Sequence, residues 1–517
     1  MRSSSVPAGV VIASLIAVLY VAIGLWAGVG QSWDSNFYLL FSQDLRLNGR
    51  IDFGQGLYAP LYPLLLASLT ILGLNSELAL CVVNAGSAGA IFLAAFVAPP
   101  TAYRFPTRLA LGCLATVVAI GSPTFRYAWT EPLYAALLMW ACVEALRAAR
   151  SGRVSAALLV LLGLLPLTRF VGLFVSLAII AYLVFDSKLG QGRTRATEQV
   201  SVAAGLVAVA ASVGPIALLA ASNLSSFGCA LGCRGASTTG PLQNVGLAFT
   251  TLRQEWIYWL FPLGLVCIAI LASACFGWER HRRRSGPALP LLIVFVGVTV
   301  QITLSSFVLV DPIDSRFLSP YFPLITLAFA SALPTTGWQP LAMRVGVMSL
   351  LILAVVATSG LDVLRFMRAV NATSQSGSLA DFGYKRTTAF GQFRDLANTL
   401  PAGSAMVAYF PTTEGYGNLA AYLFLNSAYW DGACRVVKLD PTAAHGGTVQ
   451  LECPTRGLIG GTMAGSPEQV TSETMALVLD KVALRDDDRA KLEERVSKLG
   501  LNRIFEAQLS ALYQREF

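Results

Sequence analysis

Charge is scarce in this chain. Lys, Arg, Asp and Glu together make up only 13% of its 517 residues, against about a quarter in a typical soluble domain. Most of the sequence therefore cannot form a water-soluble fold. Histidine is almost missing, with only His281 and His445, both isolated and expected on opposite sides of a membrane, which argues against a histidine metal site. No Walker loop, no GxGxxG after a strand and no GxSxG occurs, so nothing points to a P-loop, a dinucleotide site or a nucleophile elbow. Internal repeats and low-complexity segments are absent too. The first apolar run has no small-residue cleavage site after it, and reads as a retained helix.

Apolar residues fill the space that charge leaves. The chain is 55% hydrophobic with a mean hydropathy of +0.62. Several windows of about twenty residues carry no charge, enough to cross the ~30 Å hydrocarbon core. Helices are the expected spanning elements, because an open sheet leaves backbone groups unsatisfied in lipid. The net charge of +8 does not indicate nucleic acid. Many Lys and Arg sit in short loops between apolar runs, where they set orientation.

Arg2 precedes the first run, at residues 6–29, and places the N-terminus in the cytoplasm. Residues 31–63 follow as an outer loop rich in aromatics, with Asp34, Asp44 and Asp52. Ser32 is positioned to cap a helix over 33–48 that Gly49 stops. The apolar stretch 57–74 carries Pro60 and Pro63 at its start, leaving a helix too short to span. Reading it as juxtamembrane or re-entrant puts the Arg150 and Arg283 clusters inside. Spans are then expected at 78–97, 109–120, 132–146, 154–166, 170–185, 200–221, 256–276, 289–310, 317–333 and 345–364, about 11 in all with the first.

Composition changes near Arg365. Charge rises and turn signals appear. We read residues 1–364 as a transmembrane module and 365–517 as an extracytoplasmic soluble α/β domain. A strand is expected over 406–410, and helices over 387–400, 415–425 and 476–499. Of the nine cysteines, Cys81, Cys113, Cys142, Cys267 and Cys275 lie in apolar runs and suit core packing. Cys229, Cys233, Cys434 and Cys453 fall in segments placed outside, where disulfides persist. Cys434 with Cys453 is the expected pair, and Cys229 with Cys233 would close a tight loop.

Four ionisable residues near outer span ends stand out. Asp34, just past the first span, is placed to take a proton from an acceptor hydroxyl or amine; it could equally be a hydrated acid favoured by a helix N-terminus. Asp44 and Asp52 read as solvated surface acids. Glu131 follows Thr130 and precedes Pro132 in a first helical turn, close to the bilayer, where ionisable groups are costly and often functional. Arg169 interrupts an apolar stretch and Arg316 opens another. Each offers a planar fork for a phosphate, or could snorkel or pair with a nearby acid such as Asp314.

Four local patterns, in chain order, resemble one family. They are Trp33-Asp34-Ser-Asn-Phe-Tyr38; Tyr58-Ala-Pro-Leu-Tyr-Pro-Leu-Leu-Leu66 before a non-spanning apolar stretch; Ser122-Pro123 through Thr130-Glu131-Pro132-Leu133, then Thr168-Arg169-Phe-Val-Gly172; and Asp314-Ser-Arg316-Phe-Leu-Ser-Pro320-Tyr-Phe-Pro323. Together, over residues 6–364, they resemble the GT-C superfamily of membrane glycosyltransferases, especially bacterial relatives of protein O-mannosyltransferases and aminoarabinose transferases.

The resemblance implies a polytopic α-helical GT-C-like fold in the inner (plasma) membrane. It implies a polyprenyl-phosphate sugar as donor, bound at the outer face, and a lipid, glycan or protein as acceptor. By the same resemblance Asp34 matches a first-loop catalytic acid, Glu131 a second-loop acid, and Arg169 and Arg316 donor-phosphate ligands. Transfer with inversion is the implied reaction. No cofactor is expected. Some relatives use a divalent metal through a DxD motif, which the outer loops of this membrane module lack, so a metal stays open. Two other classes compete: a transporter or flippase for a lipid-linked or anionic substrate, and a ligase or polymerase of envelope glycans.

Overall fold

Asn75 opens the helix around which the membrane part is packed. Its side chain accepts a hydrogen bond from the Leu78 amide at 2.7 Å, satisfying one of the orphan donors of a helix start, and α4 (Ser76–Val97) follows. In a computed structural model of the protein, α4 packs against α1 (Ser5–Ala27), α5 (Phe105–Ile120) and α6 (Glu131–Ser151). Small side chains make this close packing feasible: Ala88, Ala94 and Ala95 of α4 share one core cluster with Ala141 and Ala145 of α6. The outer faces of peripheral helices are apolar and exposed, as Val11, Leu15 and Val18 show on α1, which suits contact with lipid.

The structure describes residues 5–30, 32–49, 58–99, 105–189, 201–230, 237, 239–275, 287–307, 313–332, 341–376, 382–388, 390–392, 395, 405–409, 435–440, 448–453, 457–464, 470, 472, 474–480, 486–506 and 510–515. Among them, six helices are long and apolar enough to cross a membrane: Val6–Ala27, Ser76–Val97, Glu131–Ser151, Val202–Ser226, Ala288–Phe307 and Met348–Ser376. Further helices occupy the other stretches expected to span. Two of them, α7 (Ala156–Thr168) and α8 (Gly172–Leu189), form a hairpin, and Trp256–Cys275 and Phe322–Ala332 follow later in the chain. The proline-led stretch gives α3 (Leu61–Ile71), whose eleven residues reach only about 16 Å. Beside it lies α2 (Trp33–Asn48), stopped by Gly49 in the left-handed conformation; Tyr38, Leu39, Tyr62 and Leu66 join the two.

Two helices run past their expected ends. The one starting at Val202 continues to Phe227, and the last membrane helix, Leu341–Ser376, continues twelve residues beyond Leu364. Residues 222–227 and 365–376 contain no glycine or proline, and left-handed Gly228 ends the first of the two.

Beyond residue 400 the described strands form one seven-stranded mixed sheet, β2-β3-β4-β1-β5-β7-β6. In chain order they are β1 (Ala405–Tyr409), β2 (Arg435–Asp440), β3 (Thr448–Cys453), β4 (Gly457–Ala464), β5 (Thr474–Asp480), β6 (Leu501–Glu506) and β7 (Ser510–Arg515). β1 pairs parallel with both β4 and β5. The helix expected over 476–499 is confined to Asp486–Lys498. Its expected first part is the apolar run of β5, and charge begins only after it. Asp486, Asp487 and Asp488 form a D-x-D string, but they open this helix, where first-turn acids complement the dipole. Leu492 and Val496 pack the helix onto Leu477 and Tyr513 of the sheet. Cys453 ends β3, whereas Cys434 lies outside the described residues and its pairing with it. Asp52, Cys233, His281, Asp311 and His445 lie outside them too. Cys229 is disulfide-bonded, and Cys81, Cys113, Cys142 and Cys267 are free thiols.

Candidate active site

Asp34 is the second residue of α2. The helix start is held by Ser32, whose amide donates to Ser35 Oγ at 3.0 Å, a serine version of the capping box. The indole of Trp129 donates to Ser32 Oγ at 2.5 Å, tying the first outer loop to the second. A backbone bridge just upstream does the same: Gly30 N donates to Arg126 O at 2.8 Å and Ala128 N to Gly30 O at 3.0 Å. Asp34 is thus fixed by two loops, not one.

Its carboxylate meets a guanidinium from far along the chain. Arg316 Nη1 lies 2.5 Å from Asp34 Oδ2, and the Tyr58 hydroxyl donates to Asp34 Oδ1 at 3.2 Å. The Arg316 side chain is 8% exposed and that of Asp34 26%, so the acid keeps an open side. Arg316 sits in the single turn Ser315–Leu318. Asp314 caps that turn, accepting from the Arg316 amide at 2.8 Å. The acid nearest Arg316 in sequence therefore serves its backbone, and the distant one serves its charge.

A second pair lies alongside. Arg169 binds Glu131, both largely buried. Glu131 is the first residue of α6, as its place before Pro132 suggests, but Thr130 does not cap through its side chain; its hydroxyl donates to Glu131 Oε2 at 3.4 Å. Arg169 occupies the extended residue between α7 and α8. The turn is so tight that a β-carbon at Gly172 would lie 2.4 Å from the Leu165 carbonyl oxygen, which restricts the position to glycine. Burial is the largest influence and disfavours the Arg169 charge, but Glu131, Tyr38 and Tyr321 together outweigh it and push the guanidinium up.

One ring joins the pairs. The Arg316 and Arg169 guanidinium carbons lie 4.6 and 5.4 Å from the Phe317 centroid, within cation–π range. Arg316 also lies 5.3 Å from the Trp129 ring, which stacks on Tyr127. All four candidates, Asp34, Glu131, Arg169 and Arg316, therefore converge. Two cations and two acids share an aromatic pocket, an arrangement fit to exchange internal carboxylate partners for an anionic ligand.

Three residues here carried no role in the sequence reading. Tyr58 touches Asp34 and lies in a recognised motif. Trp129 braces both Ser32 and Arg316. Tyr38 is buried against Tyr58 and Tyr62, each 5.3 Å away between centroids. Burial and the neighbouring Asp34 and Glu131 charges push its phenol far up, so it remains a hydrogen-bond donor. Tyr38 closes the first of the four sequence patterns, Trp33 to Tyr38. Asp44, by contrast, is not a solvated acid: it is 5% exposed and accepts from Asn48 at 2.6 Å. Among the described residues, no group of three or more His, Cys, Asp and Glu is arranged to hold a metal.

No protein-family model matches the sequence, and no curated protein does either. The fold, however, is shared with solved structures. The crystal structure of ArnT from Cupriavidus metallidurans bound to undecaprenyl phosphate superposes with a TM-score of 0.57 at 11% identity, covering 98% of this chain and 97% of that one. ArnT in the apo state gives 0.55 at 12% identity, with 99% and 98% covered. The chain thus shares the fold of ArnT nearly end to end.

Proposed function

We propose that the protein is a membrane glycosyltransferase that moves a sugar from a polyprenyl-phosphate donor to an acceptor at the outer face of the membrane. The observation that carries this reading is the paired Asp34–Arg316 and Glu131–Arg169 arrangement around Phe317, set in a fold shared with a protein that binds undecaprenyl phosphate. The single disulfide-bonded cysteine among the described residues, Cys229, favours an extracytoplasmic side for its loop. The N-terminus is then cytoplasmic, and the sheet-containing part after residue 365 is an extracytoplasmic α/β domain.

In this reading the donor phosphate enters between the two guanidiniums. It competes with Asp34 for Arg316 and so releases a carboxylate oxygen. Asp34 accepts the proton of the acceptor hydroxyl or amine as that atom attacks the anomeric carbon. The bond from that carbon to the phosphate oxygen breaks, and its electron pair leaves with the polyprenyl phosphate. Attack opposite the leaving group inverts the anomeric centre. Arg316 and Arg169 stabilise the charge growing on the departing phosphate, while Glu131 holds Arg169 in place.

The purified protein, reconstituted with a labelled polyprenyl-phosphate sugar and candidate acceptors, should form glycosylated acceptor and free polyprenyl phosphate. Movement of intact lipid across the vesicle without transfer would replace this reading with a transporter.

A further inference from the structure

After the last membrane helix the chain turns back onto the start of the site. Phe382 packs on Phe366 with centroids 4.9 Å apart, and Phe366 stacks on Trp26 at the end of α1. The Phe382 carbonyl accepts from Thr373 Oγ1 at 3.0 Å, and the Gly383 amide donates to Gly28 O at 3.4 Å. Arg386 lies over the Trp26 ring at 5.0 Å.

Lys385 locks this turn. Its ammonium lies 2.7 Å from Glu77 Oε2 in the first turn of α4 and donates to the Leu25 carbonyl of α1 at 3.2 Å. The pair is largely buried, with side chains 17% and 8% exposed. The cation also meets the negative end of α1, and the acid sits at the positive end of α4.

The contact continues to Asp34. A β-carbon on Gly30 would lie 2.7 Å from the Tyr127 ring and 2.9 Å from the Phe382 amide nitrogen, so the three segments meet with no spare volume. Ser32 lies two residues further on and Asp34 four.

We propose that Lys385 is a positioning residue for the transfer reaction, holding the 382–387 turn against Gly28–Gly30 and thereby setting the start of α2 and the Asp34 carboxylate. The assignment rests on the transfer reaction proposed above, but the coupling between Lys385 and the first loop can be read without turnover. Lys385 does not touch the reacting atoms. Its role is to fix the acid relative to Arg316, where a misplacement of about 1 Å costs roughly a hundredfold in rate.

The experiment compares the full chain with Lys385→Met, Lys385→Arg and Glu77→Gln. Hydrogen exchange of the reconstituted protein should show faster exchange over residues 28–36 in Lys385→Met and Glu77→Gln, with α6 unchanged. Transfer assays should show kcat falling roughly ten- to a hundredfold with the donor KM unchanged, and Lys385→Arg should restore both readouts. If Lys385→Met does not fold, the Lys385→Gln/Glu77→Gln double variant carries the test without leaving a lone buried charge. Unchanged exchange over 28–36 overturns the proposal, whatever the activity does. A changed KM with unchanged kcat overturns it as well. Faster exchange in a protein whose wild type transfers no sugar keeps the coupling and removes the reaction.

Discussion

Asp34 and Arg316 are separated by 282 positions in sequence and by 2.5 Å in space. The contact ties the first outer loop to the turn that opens a helix near the end of the membrane module. Removing the acid while keeping its shape tests its chemistry. Asp34→Asn should lower kcat by about a hundredfold or more, the range of a lost general base. Native mass spectrometry should still detect bound polyprenyl phosphate. Full transfer by this variant would remove Asp34 from the mechanism.

The two arginines should act on donor binding. Arg316→Gln and Arg169→Gln should each raise the donor KM by roughly ten- to a hundredfold, the worth of one charge-assisted contact of about 1.5–3 kcal/mol. Arg316→Lys should recover little of the loss, since a point charge cannot reproduce the fork and the stacking on Phe317 and Trp129. An unchanged donor KM in both Gln variants would move the phosphate elsewhere.

Glu131 has a different signature. Glu131→Gln leaves the Arg169 charge buried beside a neutral amide. The loss of one partner from a buried ion pair costs about 3–5 kcal/mol, so thermal melting in detergent should drop clearly. The double variant Glu131→Gln/Arg169→Met should melt higher than Glu131→Gln alone, because no lone charge remains. A Glu131→Gln protein melting like wild type would show that Arg169 finds another counter-ion.

The turn at Gly172 predicts a packing failure. Gly172→Ala places a methyl against the Leu165 carbonyl and should destabilise the hairpin of α7 and α8 by about 1–3 kcal/mol. Donor binding should fall with it, because Arg169 rides on that turn. Equal melting and equal binding would mean the backbone yields easily.

Orientation can be checked with single cysteines. Ser151→Cys should react only with membrane-permeant thiol reagents and Ser225→Cys with impermeant ones, in right-side-out vesicles. The reverse pattern would invert the whole topology and move the site to the cytoplasm.

Much of the fold was legible because apolar length, proline position and arginine-rich loops are strong signals in lipid. The short helix α3 followed from Pro60 and Pro63 alone. The site was legible as four residue types near outer span ends, but not as two pairs. Pairing Arg316 with Asp34 instead of Asp314 depends on a backbone cap that takes Asp314 out of contention, and no spacing rule contains that competition. Tyr38, Tyr58 and Trp129 were hidden for another reason: aromatic residues at span ends are mostly interface anchors, so their contact with charged groups is invisible before folding. Asp44 reads as a surface acid, yet it is buried and held by Asn48 of its own helix.

Gly30 lies where three distant stretches of chain cross, and this has a consequence for the order of synthesis. The ribosome makes Asp34 early, yet its salt-bridge partner arrives only with the turn at Ser315–Leu318, and the turn that braces Gly28–Gly30 later still, after the Leu341–Ser376 helix. Until then the first outer loop has neither its counter-ion nor its clamp. A nascent chain released before residue 386 therefore exposes a first outer loop that still lacks its clamp.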